Sequence, residues 1–256
     1  MGVVLGATAA VVTVACVLPP IPQDPAYHRF ADTRPFGSAP NGWAVLSNLP
    51  FLVVGLMGLR QVLAAPVGAS APFVESRERW PYALFFAGVA LTGVGSAYYH
   101  WAPDHARLVW DRLPMTIGFM ALLAAVVAER VSVPAGITLL PALLLAGAGS
   151  VAYWYAGELR GAGDLRPYAL VQFAPAALIP LMLLLFPARY TCGGYLVGVI
   201  VIYGIAKLFE LLDGAIFSVG HLLSGHTLKH LTAVLAAWWL LRGLGLRRSV
   251  AAEERT

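Results

Sequence analysis

Between residues 41 and 244 the chain carries seven apolar segments of about 20 residues each, at 41–64, 82–100, 107–128, 132–156, 166–186, 192–213 and 226–244. No other feature limits the fold so severely. A helix rises 1.5 Å per residue, so about 20 residues match a hydrocarbon layer of ~30 Å. Inside lipid every backbone N–H and C=O needs a partner, which a helix supplies from within itself. The expected fold class is an all-α membrane protein, a seven-transmembrane-helix bundle. Only 12% of the residues are charged, about half the share in soluble domains.

Residues 2–18 form a further apolar run, closed by Leu18-Pro19-Pro20. A removed signal peptide would want a basic leader and a small-x-small cleavage site, and neither is present. Thr13-Val14-Ala15-Cys16 makes a poor lipobox. Residues 1–19 are therefore expected to be an additional N-terminal hydrophobic helix that is retained. Residues 20–40 are polar and proline-rich, an ordered loop. The seven-helix unit then runs over 41–246, and 247–256 is a charged tail expected to be disordered. There is no internal repeat and no second domain. The net charge of +4 comes from scattered arginines, without the clustered basic face that nucleic-acid binding needs. Cys16 and Cys192 lie in separate apolar segments without metal-ligand spacing, which argues against a disulfide framework and a cysteine-ligated zinc.

Arginine placement sets the expected orientation. With the C-terminus cytoplasmic, that side holds Arg60, Arg77, Arg79, Arg130, Arg189, Arg242, Arg247, Arg248 and Arg255, nine against five on the other side. The 20–40 loop then lies outside the cytoplasm, as expected for an inner or plasma membrane protein. Alternating helix direction puts the end of the second segment (His100) and the starts of the third (Asp111) and seventh (His226) on that same side.

Those ends carry the chemistry. Residues i and i+4 share a helix face, and both Ser96/His100 and His226/His230 have that spacing. Two such histidines can ligate one metal, with His100 as a third ligand. Three protein ligands and a water form the catalytic zinc pattern, the water's pKa falling toward ~7. Asp111 is placed to act as general base and then acid, and Ser96 to donate a hydrogen bond to an oxyanion. The plainer roles are a helix-to-helix hydrogen bond for each histidine, a backbone bond for Ser96 and a dipole-matched charge for Asp111. Ionisable groups at membrane depth are costly, which favours function.

The Ser-x3-His, Asp and His-x3-His arrangement resembles the alkaline ceramidase family, within the wider superfamily that includes the adiponectin and progestin receptors. The likeness runs from about residue 28 to 240. It includes the ten residues between His100 and Asp111, the following Leu113-Pro114-Met115, and Gly225-His226. It implies seven helices around an intramembrane zinc held by His100, His226 and His230. Asp111 would serve the water and Ser96 would polarise the scissile carbonyl. The implied reaction is hydrolysis of a ceramide-like lipid to a fatty acid and a sphingoid base, with the zinc site toward the extracytoplasmic half. Animal members have an acid-rich calcium loop before the first helix. Here 32–41 offers only Asp32 and Asn41, a weak calcium site unless carbonyls and Asp24 join. Two alternatives stay open: a receptor-like protein with a structural zinc, and a hydrolase of another N-acyl lipid.

Other polar groups have expected roles outside the reaction. His105 and His221 are read as loop residues beside the site, and His28 as a loop residue near Asp32. Lys207, Glu210 and Asp213 fall on one face and predict an ion-pair seam. Asn48, Gln172 and Lys229 are read as helix-to-helix hydrogen bonders, and Trp43, Trp80, Trp101, Trp110 and Trp154 as an interfacial belt.

Overall fold

A computed structural model describes residues 2–253. The helices are α1 (Gly2–Val17), α2 (Gly42–Leu46), α3 (Leu49–Ala64), α4 (Arg79–Trp101), α5 (His105–Arg130), α6 (Val133–Glu158), α7 (Arg166–Leu185), α8 (Gly194–Leu211), α9 (Asp213–Ser218), α10 (Gly225–Leu246) and α11 (Val250–Glu253). Among the described residues there is no strand, only isolated bridges.

Six helical stretches are long and apolar enough to cross a membrane: Gly42–Ala64, Ser76–Trp101, His105–Arg130, Val133–Glu158, Arg166–Leu185 and Gly194–Leu211. The seventh expected segment is α10, 22 residues long, or ~33 Å. His226, Lys229, His230 and Arg242 break up its apolar run, so it lacks the continuous apolar stretch that the six have. The N-terminal run forms α1, but its 16 residues reach only ~24 Å.

Helices α3, α4, α5, α7, α8 and α10 form a ring, closed by contact between α10 and α3, with α6 outside against α5 and α7. The seam between α7 and α8 is the loosest in it. Helix α5 is the most enclosed member, with Ala121, Ala124 and Val126 fully buried. Helix α1 lies against α7.

The first expected segment is broken after Leu46. Pro50 has no N–H to return to the Leu46 carbonyl, and the Ser47 hydroxyl and Asn48 amide both donate back to the Ala44 carbonyl at 3.2 and 2.7 Å. Asn48 thus bonds within its own segment rather than across to another helix. The 192–213 segment is interrupted at Leu212, where α8 gives way to α9.

The expected disordered tail needs correcting from its first residue. Arg247 is buried, donates to Glu129 (2.8 Å) and Tyr82 (3.1 Å), and sits against the rings of Phe73, Tyr82 and Tyr190. Backbone bonds from Thr191 to the Arg248 carbonyl (2.8 Å) and from Val250 to the Arg189 carbonyl (3.1 Å) fix the next residues. An ionised side chain with an enclosed carboxylate partner is drawn into the protein, which composition alone does not reveal. The last part of that tail, 254–256, lies outside the described residues.

Candidate metal centre and its cavity

Close helix contact brings the site together. A Cβ on Gly95 would overlap the Trp110 carbonyl oxygen, an acceptor that Pro114 leaves without its helical donor. Helices α4 and α5 therefore touch along their backbones, which sets Ser96 and Asp111 side by side on the wall of one cavity. A Cβ on Gly225 would likewise overlap the Phe209 carbonyl oxygen. That approach lets Asp213 accept from the His226 N–H at 2.7 Å, while its other oxygen accepts from the Ala31 N–H at 3.0 Å. Asp213 thus caps α10 and anchors the loop instead of joining the expected seam. Ser224 caps α10 from the Thr227 N–H, and Asp104 caps α5 from the Arg107 N–H.

His100, His226 and His230 converge in a buried triangle. Their ring centroids are 4.7, 4.8 and 4.9 Å apart, and one nitrogen from each lies within 4.8 Å of the others. His226 Nε2 and His100 Nε2 are 3.2 Å apart. Two ligands on a tetrahedral zinc at ~2.05 Å would be about 3.3 Å apart, so this spacing fits. His230 Nδ1 lies 2.7 Å from Ser47 Oγ. With the Ser47 proton on the Ala44 carbonyl at 3.2 Å, His230 can donate from Nδ1 to Ser47 Oγ and leave the Nε2 lone pair for a metal. His100 Nδ1 is buried without a hydrogen-bond partner. Three imidazoles sharing so few acceptors are poorly matched to one another, and a cation taking their lone pairs removes the mismatch. The residues fit a metal ion. Phe30, from the 20–40 loop, covers the triangle, its ring 4.7 Å from both His100 and His226.

Asp111 is buried beside Ser96 and outside the histidine cluster. Both line a cavity of about 340 Å³ between the helices, as does His230, with apolar walls from Phe85, Phe119, Ile179 and Val199. Lys229 and Glu210 also line it, joined at 3.1 Å, with Lys207 on the second Glu210 oxygen. Lys229 is therefore a helix-to-helix bonder, as expected, and so is Gln172, which donates to the Tyr203 hydroxyl at 2.8 Å.

Arg112, the neighbour of Asp111, is 4% exposed and lines the same cavity. Its guanidinium lies 4.3 Å from the Trp154 ring and 4.6 Å from that of Tyr168. Trp154 belongs to this cage and is fully buried, unlike the other four tryptophans expected at the interface. Arg112 Nη2 donates to the Gln23 side-chain oxygen at 2.5 Å, while Nε and Nη1 have no partner. Cation–π contacts, about 2 kcal/mol or more each when desolvated, offset part of the several kcal/mol that burying an ion costs, but they leave the Nε and Nη1 hydrogens without an acceptor.

The 32–41 loop is used otherwise than as a calcium site. Arg34 donates to both Asp32 oxygens (2.8 and 2.7 Å), and these hydrogen bonds hold the carboxyl below its ordinary pKa. Asn41 donates to the His100 carbonyl at 2.9 Å, and Asp24 caps a 3-10 turn over Pro25–His28. His28 lies on that turn between the Tyr99 hydroxyl and His105 Nδ1, each at 2.9 Å. Burial, with His105 beside it, lowers the His28 pKa. His105 is the first residue of α5 rather than a loop residue, and His221 is exposed beyond α9. Ser47, Phe30 and Arg112 are site residues that the sequence reading passed over. Nothing in the spacing ties Ser47 or Phe30 to the histidines, whereas a lone arginine next to Asp111 in an apolar segment was a visible signal. Compared with protein-family models and with curated proteins, the chain matches none.

Proposed function

We propose that the protein is an intramembrane zinc-dependent amide hydrolase of ceramide-like lipids, in the manner of the alkaline ceramidases. In this reading α10 completes a seven-helix bundle, α1 is an additional N-terminal membrane helix, the C-terminus is cytoplasmic and the site faces the extracytoplasmic half. One observation carries it: a buried three-histidine cluster whose His230 lines, with Ser96 and Asp111, one largely apolar cavity. His100, His226 and His230 would hold the zinc, which supplies Lewis acidity and a water of lowered pKa.

The chain's own groups do the rest. Asp111 takes the proton of the attacking water and returns it to the departing nitrogen, so that amide and water leave as carboxylic acid and amine. Ser96 donates its hydroxyl to the carbonyl oxygen as charge develops there. The apolar cavity receives the acyl chain, and Phe30 shields the polar end from water.

The test is metal analysis of purified protein beside a lipid-amide panel. About one zinc per chain is expected, lost in His230→Ala. Asp111→Asn should keep the zinc and lower amide hydrolysis by about 10²–10⁴-fold. Unchanged turnover in that variant at full zinc occupancy overturns the assignment.

A further inference from the structure

The hydrolytic reading employs the histidines, Ser96 and Asp111, and leaves the other charges of the cavity idle. Those charges are unbalanced. Lys207, Lys229 and Arg112 line the cavity against Glu210 and Asp111, three positive groups to two negative with the histidines neutral, and a bound metal adds to the excess. Two ammoniums share the single Glu210 carboxylate. Arg112 forms no ion pair among the described residues.

The arginine is also prepared to receive something. Trp154 and Tyr168 lie against the guanidinium, which leaves its edge N–H groups for an acceptor. The acceptor present is Gln23, a neutral amide on the 20–40 loop rather than on a helix. The hydrogens of Nε and Nη1 have none. A guanidinium edge matches a carboxylate or a phosphate, and buried N–H groups of a charged donor gain most from an anionic acceptor. A head group bearing only hydroxyls would leave the cavity's excess charge standing.

We propose that the cavity selects N-acyl lipids whose amine portion carries an anionic group, carboxylate or phosphate, received by Arg112 with Lys229 beside it. This rests on the hydrolase reading and narrows its substrate class from neutral ceramides to acidic N-acyl lipids.

The experiment is equilibrium binding to full-length protein in zwitterionic nanodiscs, both zinc-loaded and metal-stripped. Three lipids of equal acyl length serve as probes: an N-palmitoyl amino acid, ceramide 1-phosphate and neutral ceramide. At least one anionic probe should bind about tenfold or more tightly than ceramide in both metal states. The stronger of the two identifies the group as carboxylate or phosphate. Arg112→Gln should erase that preference, Arg112→Lys should keep part of it, and Lys229→Gln should reduce it. Equal binding of neutral and anionic probes overturns the inference, as does a preference that survives both Arg112→Gln and Lys229→Gln. Hydrolysis of the same probes separates the two claims. If none is cleaved by zinc-loaded protein while the anionic preference holds, the hydrolase reading falls and the anion site stands. Should Arg112→Gln fold poorly, the Arg112→Lys and Lys229→Gln comparison still decides.

Discussion

Replacing Ser47 by alanine isolates the support behind one metal ligand. The Ser47 hydroxyl lies 2.7 Å from His230 Nδ1 and is nearly inaccessible to water. Its removal deletes no carbon, so no sizeable cavity opens, and the metal-free fold should lose no more than about 1 kcal/mol. The loss falls on the metal-bound state. There His230 must keep Nε2 free, so its Nδ1–H stays in place with its principal acceptor gone. A buried donor left unmet costs ~1–3 kcal/mol, and losing the group that orients a ligating histidine weakens metal binding about 10–100-fold, or ~1.4–2.7 kcal/mol. The two routes agree. The expected loss is therefore about 10–100-fold in zinc affinity. Competition against a chelator of known zinc affinity measures it, with Ser47→Thr restoring the hydroxyl as control. A Ser47→Ala zinc affinity within about twofold of the parent, well short of the usual orienting effect, would refute the reasoning.

Gly225→Ala forces a methyl into the Phe209 carbonyl; overpacking of this kind costs about 1–3 kcal/mol. Zinc occupancy should fall along with the melting temperature, and normal occupancy would show that α8 can yield. At the far end of the bundle, Arg247→Met removes the nearest cation from the buried Glu129, which keeps the Tyr82 hydroxyl at 2.9 Å and Arg130 at 3.8 Å, so the loss should fall at the lower end for a broken buried pair, about 3 kcal/mol. Thermal unfolding should show it while zinc affinity at low temperature stays unchanged, and adding Glu129→Gln should recover part of the stability.

Much of this architecture could be read from the chain, because long apolar runs admit so few alternatives. Every expected segment is helical, with ends within a few residues of those read. The i,i+4 spacing found His226/His230, and alternating helix direction brought His100 to them. What escaped was set by contacts between distant residues. Leu46 gives way to a break because Pro50 lies four residues on, a signal that average hydropathy conceals. Trp154 reads as an interfacial tryptophan until Arg112 is seen against its ring. Asp213 has the right period for a seam with Lys207 and Glu210, yet the turn at Leu212 swings it to α10 instead. Arg247 was assigned to the tail for its charge, when Glu129 nearly 120 positions earlier decides its place.

The two oxygens of Asp213 have a thermodynamic consequence. One holds the backbone of Ala31 in the covering loop and the other the backbone of the ligand His226. Loop and ligand therefore share a single post. Whatever fraction of the time the loop is away, His226 loses the neighbour that shields it and keeps only half of its anchor's environment. Linkage then runs both ways with one coupling constant: any factor by which a closed loop tightens the metal is the factor by which the metal closes the loop. Occupancy of the centre would thus be legible from outside, in how fast a protease cuts between Ile21 and Asn41.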